Sequence, residues 1–289
     1  MSKTWLITGS ARGLGRSITE AALASGANVV ATARDPGRLA DLEKQHQGRL
    51  KTFALDVTDG FAAQAAVEFA VETFGSLDVL VNNAGYGHIS PFEQASEEDF
   101  RAQIDTNFYG VVNLIRAVLP AMRKQRAGHI INISSVGGRT STPGLSAYQA
   151  AKWAVGGLTE VLASEVAPFN VKVVAVEPGG MRTDWAAIAG GAMPEILPDY
   201  QPSVGAVFGM LKAYAGNEIG DPEKIAQVIV DLTTRDKVPA HLLIGSDALY
   251  FFNEAEGKRQ REFAEWLDVT TSTDFTNSDL GFLAQLRQA

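Results

Sequence analysis

The chain has 289 residues, enough to bury a sizeable core in one large domain or two small ones. Hydrophobic residues make up 46% and charged residues 20%, a balance that excludes an intrinsically disordered chain. There is no cysteine, which removes disulfides and thiolate metal sites, and the net charge of −8 argues against a nucleic-acid partner.

Met1-Ser2-Lys3-Thr4 leads straight into an apolar run, Trp5-Leu6-Ile7, which leaves no room for a signal peptide. No apolar stretch is long enough to span a bilayer. The expectation is a cytoplasmic protein with no membrane partner, no nucleic acid and no metal.

Trp5-Leu6-Ile7 reads as a strand and runs into Thr8-Gly9-Ser10-Ala11-Arg12-Gly13-Leu14-Gly15. A helical pattern follows through Ile18, Ala21, Ala22 and Leu23, with Gly26 as its stop. Asn28 to Ala33 reads as the second strand. Glycines between a strand and a helix allow a tight turn and close backbone approach to a pyrophosphate. The helix N-terminus adds unpaired N–H groups and a positive dipole end. The second strand ends at Ala33 without a carboxylate, and Arg34 follows. An acid there would accept from the ribose hydroxyls of NAD; an arginine offers a planar fork for a 2′-phosphate instead. Arg12 is placed to join it, and Asp35 is a competing partner for Arg34.

Leu50 to Leu55 is the third strand, ending at Asp56-Val57; Phe61 to Phe74 is an amphipathic helix closed by Gly75. Leu77 to Val81 is the fourth strand and ends in Asn82-Asn83-Ala84-Gly85. Small residues at the carboxyl end of such a strand leave room for a ligand. Asn82 is expected to brace the sheet. His88 either borders a pocket or lies on the surface. Ser96 caps a helix with acids in its first turn, which runs to Pro120 and contains Asn107, a mediocre helix former.

His129 to Ser134 is the next strand, with Ser135 at its end. Tyr148 and Lys152 are four apart in a helical stretch, so they share one face. A neighbouring ammonium favours phenolate, which makes the pair a workable acid and base. Val171 to Val176 is the sixth strand, followed by Glu177-Pro178-Gly179-Gly180-Met181-Arg182-Thr183.

Residues 185–220 carry glycines and prolines that break any long helix (Gly190, Gly191, Pro194, Pro198, Pro202) among apolar residues such as Trp185, Met193 and Phe208. A mobile apolar lid fits that pattern; a packed surface excursion or a subunit contact fits it too. Asp221 to Thr233 is a helix and His241 to Gly245 the seventh strand. Phe251, Phe252, Phe263 and Trp266 point to a tail that folds back near the lid or across a subunit, with a loose end at Thr270 to Thr273.

Thr-Gly-x-x-x-Gly-x-Gly, Asn-Asn-Ala-Gly and Ser-Tyr-Lys in this order resemble the short-chain dehydrogenase/reductase family over roughly residues 4–245. The spacing differs from the commoner Gly-x-Gly-x-x-Gly fingerprint. The resemblance implies one doubly wound α/β domain of Rossmann type with a parallel sheet of about seven strands. Residues 1–245 would form the dinucleotide-binding and catalytic part, with the substrate lid at 185–220, and 246–289 an extension of the same domain.

The resemblance further implies that Tyr148 is the acid or base and that Lys152 lowers its pKa and holds the nicotinamide ribose. Ser135 would hold the carbonyl oxygen and Asn107 a proton-relay water. The thirteen-residue spacing to Tyr148 favours Ser135 over its rival Ser134. Cofactor contacts would come from Gly9, Ser10, Arg12, Gly13, Leu14, Gly15, Arg34, Asp56, Val57, Asn83, Ala84, Gly85, Pro178, Gly179, Met181 and Thr183, besides Tyr148 and Lys152.

The expected function is interconversion of a hydrophobic ketone or aldehyde and its alcohol with NADP(H), in a homodimer or homotetramer. Two alternatives are a 3-oxoacyl-thioester reductase and a catalytically silent NADP-binding regulatory protein. The long tail and apolar lid resemble the branch of 17-beta-hydroxysteroid dehydrogenase-like proteins.

Overall fold

Trp5 and Ile7 pack into one hydrophobic cluster while Leu6, between them, packs into another. That alternation places the strand inside a sheet covered on both faces. The computed structural model describes residues 2–191 and 195–275, with Ser278 and Gly281.

In chain order the elements are β1 (Thr4–Ile7), α1 (Gly13–Ala24), β2 (Asn28–Ala33), α2 (Ala40–Gln45), β3 (Leu50–Ala54), α3 (Gly60–Phe74), β4 (Val79–Asn82), α4 (Glu97–Ile104), α5 (Gly110–Gln125), β5 (Gly128–Ile133), α6 (Ser146–Val166) and β6 (Val171–Pro178). There follow α7 (Trp185–Gly191), α8 (Ala206–Tyr214), α9 (Pro222–Leu232), β7 (His241–Ile244), α10 (Ser246–Glu265) and α11 (Leu267–Thr271). The seven strands are parallel, in the order β3-β2-β1-β4-β5-β6-β7. The order reverses between β1 and β4, so their carboxyl ends splay apart and open a crevice. One core lies between the sheet and α1 with α9; the other lies under α3, α5 and α6.

Local signals set many boundaries. Asp59 caps α3 by accepting from the N–H groups of Phe61 and Ala62 at 2.8 and 3.1 Å. Ser96 and Asp221 cap α4 and α9 in the same way.

Two expectations needed tertiary correction. The helix expected to end at Pro120 continues to Gln125, because Val118 and Met122 are buried in the core and packing outweighs the proline. The tail expected to end loosely at Thr270 to Thr273 is helical there in part, and its described aromatic residues divide between contact and solvent. Phe252 is half-buried against Arg139, but Phe263 and Trp266 are exposed, and Thr270 and Thr271 belong to α11.

Described residues of the 185–220 segment pack against the rest of the chain. Ile89, Leu145, Ala189, Ile196 and Val204 form a third, smaller cluster, with Trp185, Tyr200, Phe208 and Leu211 against it. Gly190 abuts the Phe208 ring, so its position tolerates no side chain without a shift. Met193 and Pro194 lie outside the described residues. Among the described residues no helix is long and apolar enough to cross a membrane.

Candidate active site

A cavity of about 910 Å³ occupies the crevice between β1 and β4. Its floor is the Gly9–Gly15 turn. Gly9 has φ +68°, a conformation open to glycine, and a Cβ on Gly15 would fall 2.3 Å from the Gly9 carbonyl oxygen. Asn83 fixes this turn from the neighbouring strand, its Nδ2 donating to the Thr8 carbonyl at 2.9 Å. Asn82 turns the other way, into the buried chain Asn82–Asn132–Thr159, and braces the sheet as expected.

The residues present fit a dinucleotide. The α1 N-terminus opens on the cavity with no side-chain cap and no acid in its first turn, so its N–H groups remain available to a diphosphate. Arg34 and Arg38 line the wall beyond β2, as does Asp56, whose charge Arg34 favours. The carboxyl of Asp56 is held below its usual range by the backbone N–H and hydroxyl of Thr58. Asp35 does not compete for Arg34; it accepts from the Gly37 N–H. Arg12 instead pairs with Asp184 at 2.7 Å across the mouth.

At the other end stand Tyr148 and Lys152. The pKa of Tyr148 is raised by burial, an effect that the neighbouring Ser135 hydroxyl partly offsets. The sequence reading expects the opposite direction; desolvation is the larger effect here. Lys152 is buried, which lowers its pKa to about 8. Its Nζ donates to the Ile133 carbonyl at 2.8 Å and lies 5.7 Å from the Tyr148 ring centre. Ser134 borders the cavity, its hydroxyl donating to the Lys152 carbonyl, whereas Ser135 is outside that lining and acts on Tyr148 from beside it.

Asn107 interrupts the α4–α5 helix. Its Nδ2 donates to the Gln103 carbonyl at 2.8 Å, the acceptor its own N–H would use, and to the Tyr86 carbonyl at 2.7 Å. The backbone widens to a π turn over Asp105–Tyr109. Its Oδ1 is buried without a partner beside the cavity, 2.6 Å from where a Cβ on Gly85 would sit.

Most of the expected cofactor residues border this cavity: Gly9, Arg12, Gly13, Leu14, Gly15, Arg34, Asp56, Val57, Asn83, Ala84, Gly85, Met181 and Thr183. Ser10, Pro178 and Gly179 stand behind the wall. Ser10 is buried, its hydroxyl donating to the Ile7 carbonyl. Gly179 donates to the Ile244 carbonyl and abuts Asp247.

The sequence reading missed Arg38, four residues after Arg34, and the close stack of Gly87, Tyr148 and Trp185. The arginine spacing was legible; the stack pairs residues far apart in the chain. His88 borders the cavity, with Nδ1 2.6 Å from Asp99 Oδ1.

Fold and site together define an α/β protein of dinucleotide-binding type whose crevice ends at a serine, a tyrosine and a lysine. The family profile described as short chain dehydrogenase matches residues 3–190, and the chain belongs to that family of oxidoreductases. It is 44% identical over 274 residues to "Oxidoreductase BOA17" of Botryotinia fuckeliana, covering 94% of this chain and 100% of that one. A short-chain dehydrogenase structure from Streptomyces avermitilis superposes with a TM-score of 0.87 at 39% identity, covering 95% of this chain and 100% of that one. A 3-ketoacyl-(acyl-carrier-protein) reductase from Brucella melitensis complexed with NADH gives 0.72 at 26% identity, covering 84% and 96%. A metagenomic short-chain oxidoreductase in complex with NADP gives 0.68 at 29% identity, covering 84% and 97%.

Proposed function

We propose that this chain interconverts an apolar ketone or aldehyde and its alcohol with NADP(H). The observation that carries the reading is Tyr148 on the cavity wall together with the buried Lys152, with Ser135 acting on Tyr148 from beside it. The bound nicotinamide would supply or accept the hydride. Tyr148 gives the substrate oxygen its proton in reduction and takes it in oxidation. Ser135 donates to the same oxygen and stabilises the charge that develops on it. Lys152 would favour the phenolate by its charge and would hold the nicotinamide ribose, while Asn107 would support the supply of protons to it.

Arg34 and Arg38 on the cavity wall, with no acid at Ala33, support NADPH over NADH. Residues 185–220 form the substrate side. Trp185 and Ile188 line it, which supports a bulky apolar substrate. Residues 246–289 are read as an extension of the same domain. Assembly as a homodimer or homotetramer belongs to the same reading, and light scattering after size exclusion measures it.

The test is NADPH and NADH oxidation by the purified protein against apolar ketones, fatty oxoacyl thioesters and sugars. NADPH-linked turnover of bulky ketones, lost in Tyr148→Phe, is the expected result. Preferential turnover of the thioesters would favour the second reading, which the Brucella structure's own description supports. Tight NADPH binding without turnover on any substrate would point to a silent binding protein.

A further inference from the structure

Glu177 ends β6 as a carboxylate with no exposed surface, and the chemistry proposed above does not use it. An ionised carboxylate leaves water only when its surroundings compensate the charge. One oxygen accepts from His241 Nδ1 on β7 at 2.7 Å. The other has no hydrogen bond and lies 3.5 Å from Nη1 of Arg139. On its far side His241 faces Glu160 of α6, at 3.6 Å.

Arg139 stands four residues after Ser135 and closes the turn that Ser135 opens. Gly137 N–H donates to the Ser135 hydroxyl at 3.0 Å, and Arg139 N–H to the Val136 carbonyl at 2.8 Å. Arg139 is gripped from outside as well. Its guanidinium lies 4.8 Å from the Phe252 ring centre, and its carbonyl accepts from Arg259 at 2.9 Å, both on α10.

We propose that Glu177 and Arg139 are positioning residues: their ion pair, with Glu177 fully buried and Arg139 partly so, ties the Ser135 turn to the end of β6 and so sets the Ser135 hydroxyl beside Tyr148. The proposal rests on the roles given above to Ser135 and Tyr148. Breaking one side of a buried pair leaves an uncompensated charge, so the turn has one favourable seat. Glu177 faces the charged or titratable groups Arg139 and His241, and through His241, Glu160; Tyr148 faces Lys152.

The test is Arg139→Met, which keeps the apolar stem against Phe252 and removes the charge. Tyr148 is titrated by tyrosinate absorbance in the protein without cofactor, with Tyr148→Phe as the baseline. Displacing the Ser135 hydroxyl should move Tyr148 to higher pH, by about half a unit or more, because Ser135 offsets part of the effect of burial. In turnover, kcat should fall about tenfold with the NADPH KM within about twofold, because proton transfer is disturbed and cofactor binding is not. Arg139→Lys should recover most of both effects.

A lower melting temperature with Tyr148 titration and kcat unchanged would overturn the proposal. If Arg139→Met does not fold, Glu177→Gln, which keeps an acceptor for His241, must show the same displaced titration or the proposal fails. Absence of turnover in the wild type would sink the functional reading alone, since the titration decides the positioning role without it.

Discussion

Lys152 reaches past Tyr148 rather than bonding to it. Its Nζ donates to the Ile133 carbonyl at 2.8 Å and lies 5.7 Å from the tyrosine ring centre. Any effect of the lysine on the phenol would act through space, and its own burial holds its pKa down at about 8.

That burial makes stability depend on pH with a definite sign. The unfolded lysine keeps its proton up to about pH 10.5, while the folded one releases it from about pH 8. Between those values the unfolded state binds more protons, so stability contributed by this group rises with pH. Below pH 8 the full penalty remains. Lys152→Met should be inactive, and its stability relative to wild type should fall between pH 7 and pH 10 by up to about 3 kcal/mol. Urea unfolding at the two pH values measures this. A constant difference would show that burial does not depress this pKa.

The two adjacent serines should separate cleanly. Ser134→Ala removes a buried bond to the Lys152 carbonyl and should cost about 1 kcal/mol while leaving most activity. Ser135→Ala should leave the melting temperature nearly unchanged and lower kcat by about 10². The reverse pattern in parallel melting and rate measurements would reassign the catalytic serine.

Arg12 is engaged by Asp184 in the very region where a 2′-phosphate is expected to need it. Both partners are near half exposed, so the pair is weak. Asp184→Asn should release Arg12 and tighten NADPH binding by a factor of about two to five, with NADH unchanged. Arg34→Ala should weaken NADPH by about tenfold or more and leave NADH alone. Fluorescence titration of both cofactors tests the pair of variants, and equal effects on NADPH and NADH would refute the phosphate assignment.

Trp185 stands 5.4 Å, centre to centre, from the Tyr148 ring, and Gly87 presses on both. Trp185→Ala should open the substrate side and move the kcat/KM ratio towards bulkier ketones by about tenfold. An unchanged ranking across a homologous ketone series would mean that Trp185 packs the loop and does not touch substrate.

The sequence by itself determined the strands, the glycine turn and the cap at Ser96, and it supplied the Ser-Tyr-Lys set as a proposal. These signals are local: alternation, spacing along a helix, and residues whose backbone or hydrogen-bonding needs admit few conformations. Only the tertiary structure decided that Pro120 sits inside a helix, that Asp184 reaches Arg12, and that Trp185 lies on Tyr148. It also decided that Glu177, His241 and Arg139 meet in the interior. Each of those depends on how far-apart segments pack and on the loss of water around them. Burial likewise set the direction of the Tyr148 pKa, because desolvation belongs to the assembled core and not to any stretch of chain.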